Sequence, residues 1–222
     1  MEKILIIGGK SSATLIADYI YDAQHKHGEQ VECIGFAYNG CPVGTDINGF
    51  PVLTSVEEAY GKYAKMKDVK FIFQSYDIQN MQATIKVKDS LNIPLERYCT
   101  FIHPSCMIAR SASVGAGSVV LANSVVNPKA RIGMFNSIMS GVTIGHDAVV
   151  GDYNLIATQA IIANVVMGDR NFVGINATTN NKITIGDDCM IGMASNVVKD
   201  VPSGTKCFGN PARSVDTPKR LR

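Results

Sequence analysis

Several common classes of protein are excluded by what this sequence has little of. Charge of one sign is scarce: charged residues make up 18% of 222 positions and the formal net charge is +2. The dense basic footprint of a nucleic-acid binder is therefore missing. No long hydrophobic run opens the chain, since Met1-Glu2-Lys3-Ile4-Leu5-Ile6-Ile7-Gly8-Gly9 offers only four apolar residues before two glycines. A secretion signal or a membrane span needs many more, so this segment reads as a buried strand and the protein as cytoplasmic. Six cysteines, at 33, 41, 99, 106, 189 and 207, contain no C-x-x-C pair. They sit mostly among apolar residues, as reduced core thiols do, and signal neither disulfides nor zinc.

What is present divides near residue 100. From Met1 to about Tyr98, short aliphatic runs alternate with longer polar-periodic stretches, the pattern of strands and helices around a parallel sheet. Lys3–Ile7, Val31–Ala37 and Val69–Gln74 read as strands, and Ala13–His27, Glu57–Lys67 and Gln79–Leu91 as helices. That predicts an α/β Rossmann-like βαβ domain over 1–100.

The part over 101–222 differs in kind. An aliphatic β-branched residue recurs every six positions, at Ile102, Ile108, Val114, Val120, Val126, Ile132, Ile138, Ile144, Val150 and Ile156. Four positions after each, the residue is usually small, and the position directly after it is often Gly or Ala, as at Gly115, Gly133, Gly145 and Gly151. A helix would need spacings of three and four and a plain strand a spacing of two. A period of six predicts a parallel β-coil: three hexads make one triangular turn, branched residues point inward, and each turn stacks on the last. From Ile156 to Met167 is a step of eleven residues where two hexads need twelve, so one corner within 161–166 is shortened. The repeat resumes through Met167, Val173, Thr179, Ile185, Ile191 and Val197, and Pro202-Ser203-Gly204 is expected to close the coil. The following Gly209-Asn210-Pro211-Ala212-Arg213 reads as a cap.

The hexads, with Val197-Val198-Lys199-Asp200-Val201-Pro202 and Gly209-Asn210-Pro211-Ala212-Arg213, resemble the hexapeptide-repeat acyltransferases. The N-terminal α/β part, joined through Phe101-Ile102-His103-Pro104-Ser105, is similar to one branch of them, the sialic acid O-acetyltransferase and nucleotide-sugar N-acetyltransferase group, which modifies sugars such as bacillosamine and perosamine. The resemblance implies a left-handed β-helix, a hand opposite to ordinary parallel crossovers. It also implies a homotrimer, with acetyl-CoA as co-substrate in the groove between coils, and a nucleotide-linked sugar as acceptor.

In that group a histidine takes the proton from the acceptor amine or hydroxyl as it attacks the thioester. The matching residue is His146, and the acid expected to orient it is Asp147. Chemistry agrees: imidazole titrates near neutrality, and a carboxylate partner fixes its tautomer and stabilises the imidazolium. His146 holds the third place of its hexad, away from the inward position, so it is expected on the outer surface. Taken alone, a surface histidine beside an aspartate is more often a solvated side chain in a turn than a base. Relatives often carry Asn-Thr-Gly where this chain has Met139-Ser140-Gly141, Glu where it has Gly145, and another histidine where it has Leu155. His25, His27 and His103 lie outside the coil, which speaks against a three-histidine zinc site of the carbonic-anhydrase kind. No metal is expected.

For acetyl-CoA, the segments that match the family's groove are Ala163-Asn164, Val173-Gly174-Ile175 and Gly192-Met193, with Lys199 placed to meet a CoA phosphate. For the nucleotide, the turn Gly8-Gly9-Lys10-Ser11-Ser12 follows the first strand and opens the first helix, where backbone N–H groups bind phosphate. It is not a full G-x-G-x-x-G and serves equally as a tight turn. The family's loop reads Gly-x-Gly-Gly-His, and its acid after the second strand is here Asn39; Ser75 and Tyr76 complete the expected rim. Two other readings stay open: acylation of a free sugar or sialic acid, and a non-catalytic trimeric scaffold or ligand-binding protein.

Overall fold

The structure, a computed structural model, describes residues 1–215. The chain forms two compact units, Met1–Pro104 and Ser105 onward.

In the first unit the aliphatic run becomes β1 (Glu2–Ile7), whose Ile4, Leu5, Ile6 and Ile7 are fully buried. Helix α1 (Ser12–His27) follows; its Ala13, Ile16, Ala17, Ile20 and Ala23 recur at helical spacing and form the buried face. Gly28, at φ 73°, ends it, with the N–H groups of Gly28 and Glu29 returning to the carbonyls of Gln24 and Ala23. Then come β2 (Val31–Ala37), β3 (Asp46–Ile47), β4 (Phe50–Thr54), α2 (Ala59–Tyr63), β5 (Val69–Phe73) and α3 (Met81–Ser90). The sheet order is β3-β4-β2-β1-β5, parallel except for the β3–β4 hairpin.

Two elements depart from expectation. The β3–β4 hairpin is an addition, although Asn48-Gly49 is a strong hairpin signal; both residues have positive φ, and Asp46 Oδ1 accepts the Gly49 N–H at 2.9 Å. The helix expected over 57–67 contracts to Ala59–Tyr63. Beyond it the Arg97 guanidinium donates to the carbonyls of Tyr63, Ala64, Met66 and Val69, a stronger set of partners than a further helical turn would supply.

The second unit is a parallel β-helix of two-residue strands on three faces. Face one stacks Met107–Ile108, Val125–Val126, Thr143–Ile144, Ile161–Ile162, Thr178–Thr179 and Asn196–Val197. Face two stacks Ser113–Val114, Arg131–Ile132, Val149–Val150, Val166–Met167 and Thr184–Ile185. Face three runs from Val119–Val120 through Ser137–Ile138, Leu155–Ile156, Phe172–Val173 and Met190–Ile191 to Lys206–Phe208. The second residue of most strands fills the interior: Val120, Val126, Ile138, Ile144, Ile156, Ile162, Val173 and Ile191 are fully buried. Each such side chain is worth about 1.5–3 kcal/mol.

The corners explain the glycines. A Cβ on Gly151 would lie 2.1 Å from Asp169 Oδ1, because that carboxylate folds over the corner below to accept the Asp152 N–H at 2.8 Å. The pattern repeats as Asp152 takes the Met134 N–H and Asp187 the Asp169 N–H. A second column is internal. Asn136 Oδ1 accepts from Asn154 N, Asn154 Oδ1 from Asn171 N, and Asn171 Oδ1 from Cys189 N, at 2.7–2.9 Å. The small positions of the hexad therefore carry hydrogen bonds between coils as well as allowing tight turns.

The shortened corner is present: Ile162 and Met167 end successive strands, and Val165, 1% exposed, takes the inner place. Two expectations fail. Ile102 does not fill an inward position: it is exposed, and its neighbour Phe101 is the buried one. The coil also does not close at Pro202-Ser203-Gly204. That segment is another corner, after which Lys206 and Cys207 pair in parallel with Met190 and Ile191. The cap is the antiparallel return of Arg213–Ser214 onto Cys207 and Phe208, across a cis Asn210–Pro211 bond.

Candidate active site

His146 and Asp147 lie on the corner that follows Thr143–Ile144 of face one. Ile144 is fully buried, the Gly145 N–H pairs with the Ile162 carbonyl, and Asp147 takes a left-handed φ of 59° while its N–H bonds the Pro128 carbonyl at 3.0 Å. His146 Nδ1 lies 2.7 Å from Asp147 Oδ2. An ionised carboxylate can only accept, so Nδ1 carries the proton and Nε2 presents its lone pair. The side chains are 66% and 47% exposed, as the sequence implied for an outward position. The His146 hydrogen bond holds the Asp147 carboxyl below its usual range; burial opposes it, and the charges of Lys129 and Arg131 add in the lowering direction.

His146 stands at the hexad place occupied elsewhere by Asp152, Asp169 and Asp187, which lie back on the preceding coil. Eighteen residues before Asp152 is Met134, whose N–H it accepts. Eighteen residues before His146 is Pro128, which has no N–H to offer. The imidazole is thus left to its own neighbour, Asp147, and to solvent.

The same corner column continues through Asn164 and Asn181 to Lys199, each in the third place of its hexad after a face-one strand. Asn164 is on the five-residue corner; its N–H goes to Asn181 Oδ1 at 3.2 Å, and the Ala163 N–H goes to Thr179 Oγ1 at 2.9 Å. Gly174, Ile175, Gly192 and Met193 belong instead to the corner after face three, at the other edge of face one. There the Gly174 N–H pairs with the Ile191 carbonyl and the Ala194 N–H with that of Ile175. Ile175 is 50% exposed and Met193 70%, while both glycines are buried. Two corner columns thus flank one sheet face on which Thr143, Ile161 and Thr178 are outward positions.

In the first unit, Gly8–Ser12, Tyr38–Asn39 and Ser75–Tyr76 follow the carboxyl ends of β1, β2 and β5, which pair side by side. Gly8 is at φ 131° with the Gln74 carbonyl against it, and a Cβ on Gly9 would meet the Tyr38 ring. Lys10 Nζ lies 6.0 Å over that ring, Ser12 Oγ accepts from Gln74 Nε2 at 2.8 Å, and Ser11 holds a positive φ of 50°. Ser75 is exposed and Tyr76 half-buried against Phe73. Asn39 is differently engaged than expected: its Nδ2 faces both Glu57 oxygens at 3.0 Å and its Oδ1 accepts from Val56 N. The carboxylate at this edge is therefore Glu57, which the sequence reading passed over. The missed signal is Ser55, whose Oγ accepts the Glu58 N–H at 3.3 Å in the turn that carries residue 57 past the end of β4.

No family profile matches the chain. Among characterised sequences, it is 26% identical over 137 residues to the putative acetyltransferase YvoF of Bacillus subtilis, covering 61% of this chain and 80% of that one. It is 37% identical over 83 residues to an acyl-[acyl-carrier-protein]–UDP-N-acetylglucosamine O-acyltransferase of Thiobacillus denitrificans, covering 37% of this chain and 32% of that one. Among solved structures, perosamine N-acetyltransferase from Caulobacter crescentus, a histidine-to-asparagine variant crystallised with CoA and GDP-perosamine, superposes with a TM-score of 0.79. It does so at 22% identity, covering 97% of this chain and 98% of that one. The stacked parallel faces and these likenesses give the chain the fold of the hexapeptide-repeat acyltransferases, a left-handed β-helix, in the form that perosamine N-acetyltransferase takes.

Proposed function

We propose that the protein transfers the acetyl group of acetyl-CoA to an amino or hydroxyl group of a nucleotide-linked sugar. His146 Nε2 removes the acceptor proton as its nitrogen or oxygen attacks the thioester carbonyl. The tetrahedral intermediate collapses, the C–S bond breaks, and the imidazolium returns the proton to the CoA sulfur. Asp147 keeps the proton on Nδ1 and stabilises the charged ring. The observation that carries this reading is the 2.7 Å Nδ1–Oδ2 contact on an exposed corner of an acyltransferase coil.

Acetyl-CoA is assigned to face one. Its acyl end lies at His146 and its phosphates near Lys199, three coils along the same column, which is about 14 Å at the ~4.8 Å strand spacing. Ala163, Asn164, Gly174, Ile175, Gly192 and Met193 border that path. With 66% of the His146 side chain open to water, one chain does not enclose the reaction. A homotrimer, with a neighbouring coil covering the groove, supplies the exclusion of water that transfer requires.

The N-terminal unit is read as a Rossmann-like domain for the nucleotide-sugar. Gly8, Gly9, Lys10, Ser11 and Ser12 face the phosphates, Ser75 and Tyr76 form the rim, and Asn39 acts by holding Glu57 toward the ribose or base. Such a reaction belongs in the cytoplasm, where acetyl-CoA is supplied.

The test is release of CoA thiol from acetyl-CoA against a panel of nucleotide-amino-sugars and free sugars. Activity with the nucleotide-linked acceptors is expected, with a fall of about 10²–10⁴ in kcat for His146→Ala and an unchanged unfolding midpoint. Thiol release at the wild-type rate by His146→Ala, or none with any acceptor, overturns the assignment.

A further inference from the structure

Two of the three histidines outside the coil, His27 and His103, come together around one aspartate. Asp22 and His27, from the last turns of α1, and His103, near the end of the first unit, converge so that one ligand atom of each lies within 4.8 Å of the others. His103 Nε2 is 3.2 Å and His27 Nε2 3.5 Å from the same carboxylate oxygen, Asp22 Oδ2. The second separation is too long for a good hydrogen bond. Both, however, bracket the edge of a tetrahedron around zinc: bonds of 2.0–2.2 Å to nitrogen and oxygen place ligand atoms about 3.4 Å apart.

The surroundings suit a cation. His103 is 2% exposed and edge-packed by the rings of Tyr19, His27 and Phe101, so its orientation is set before any ion arrives. The His27 side chain is 37% exposed, which leaves a side open for entry and for a water as fourth ligand. Lys26 Nζ sits on the other oxygen of Asp22, and being 75% exposed it can withdraw. Among the described residues this is the one group of three or more His, Cys, Asp or Glu side chains close enough to share an ion.

From this geometry we infer that the N-terminal unit carries a divalent transition-metal site, with Asp22, His27 and His103 as ligands and zinc as the best-fitting ion. It is not legible in the sequence because the ligands lie 5 and 81 residues from Asp22, outside any zinc spacing. The site ties the end of α1 to the end of its own unit and takes no part in acetyl transfer, so it stands apart from the reading of His146.

The experiment is titration of the metal-stripped full-length protein with Co²⁺, read by visible absorption, and then displacement by Zn²⁺. One equivalent with the intense spectrum of tetrahedral Co²⁺ is expected, together with a Zn²⁺-dependent rise in the unfolding midpoint. His27→Gln, on an accessible ligand, should weaken uptake more than about ten-fold, since loss of a direct ligand exceeds the loss of a residue that only orients one. Lys26→Gln should strengthen it about two- to five-fold by removing a competing cation. No saturable uptake, a pale octahedral spectrum, or the same affinity in His27→Gln would overturn the site; thiol release plays no part in any of these readings.

Discussion

Gly151→Ala tests the logic of the coil most directly. The new Cβ would stand 2.1 Å from Asp169 Oδ1 and 2.8 Å from the backbone of Gly168. The carboxylate must leave, and with it the 2.8 Å bond it accepts from the Asp152 N–H. A hydrogen bond to a charged acceptor contributes about 1.5–3 kcal/mol, and residual overpacking adds about 1–3 kcal/mol. A loss of about 2.5–6 kcal/mol follows, measured by urea unfolding of the full chain. Asp169→Ala alone removes the bond without the clash and should cost less. In the double variant the side-chain clash is already gone, so adding the methyl should cost at least about 1 kcal/mol less than it does in wild type. Strict additivity across this cycle would refute the claim that the glycine exists to let the aspartate fold over it. Because a coil is a sum of neighbouring turns, the comparison should be made at equal denaturant slope, where two-state treatment holds.

Other outcomes follow from named contacts. Pro128→Ala restores an N–H that can bond His146 Nδ1 and move the ring proton to Nε2; kcat should fall several-fold with stability nearly unchanged, and a wild-type rate would remove Pro128 from the account of the site. The Asp147 carboxyl is depressed by its His146 contact, so its contribution to stability is present above the ordinary carboxylate range and is lost as pH falls through the depressed value. The stability difference between wild type and Asp147→Asn should therefore vanish in acid and not in alkali, as paired unfolding curves across pH will read. Burial pushes the Cys33 thiol up to about 12, and Cys99, Cys189 and Cys207 in the same direction; a thiol reagent on the native protein at neutral pH should leave these four unlabelled, and Cys41, which is only half-buried, is the expected first adduct.

The coil was legible because each inward position carries a branched aliphatic, and a period of six belongs to neither helix nor plain strand. Even the five-residue corner could be counted in advance, since Val165 must replace two residues' worth of chain. Ile102 misled only in its orientation: it keeps the count, but burial at that step is taken by Phe101 beside it. Pro202-Ser203-Gly204 misled because breakers mark a corner as well as an end, and only the pairing of Lys206 with Met190 separates the two. In the first unit the β1–α1–β2 alternation was readable, whereas the shortening of α2 depends on Arg97, 34 residues beyond Tyr63. Of the candidate catalytic pair, residue type and hexad place were readable. Which nitrogen carries the proton was not, because it depends on the carboxylate contact made in the folded corner.

The site is a local exception to the rule that builds the coil. Where the third hexad place holds aspartate and the coil before supplies an N–H, the side chain is spent on the stack, as at Asp152, Asp169 and Asp187. Proline at 128 withdraws that donor from a single corner, and a histidine there has only its neighbouring carboxylate to bond. One coil on, the deleted residue leaves Asn164 followed at once by the buried Val165, with no counterpart of Asp147 to stack on it. Two departures from the repeat, one chemical and one of length, thus fall on adjacent coils of the same column. Where both departures meet, the corner leaves an oriented imidazole whose other nitrogen is not spent on the stack, and the proposed proton transfer is most economically assigned to that nitrogen.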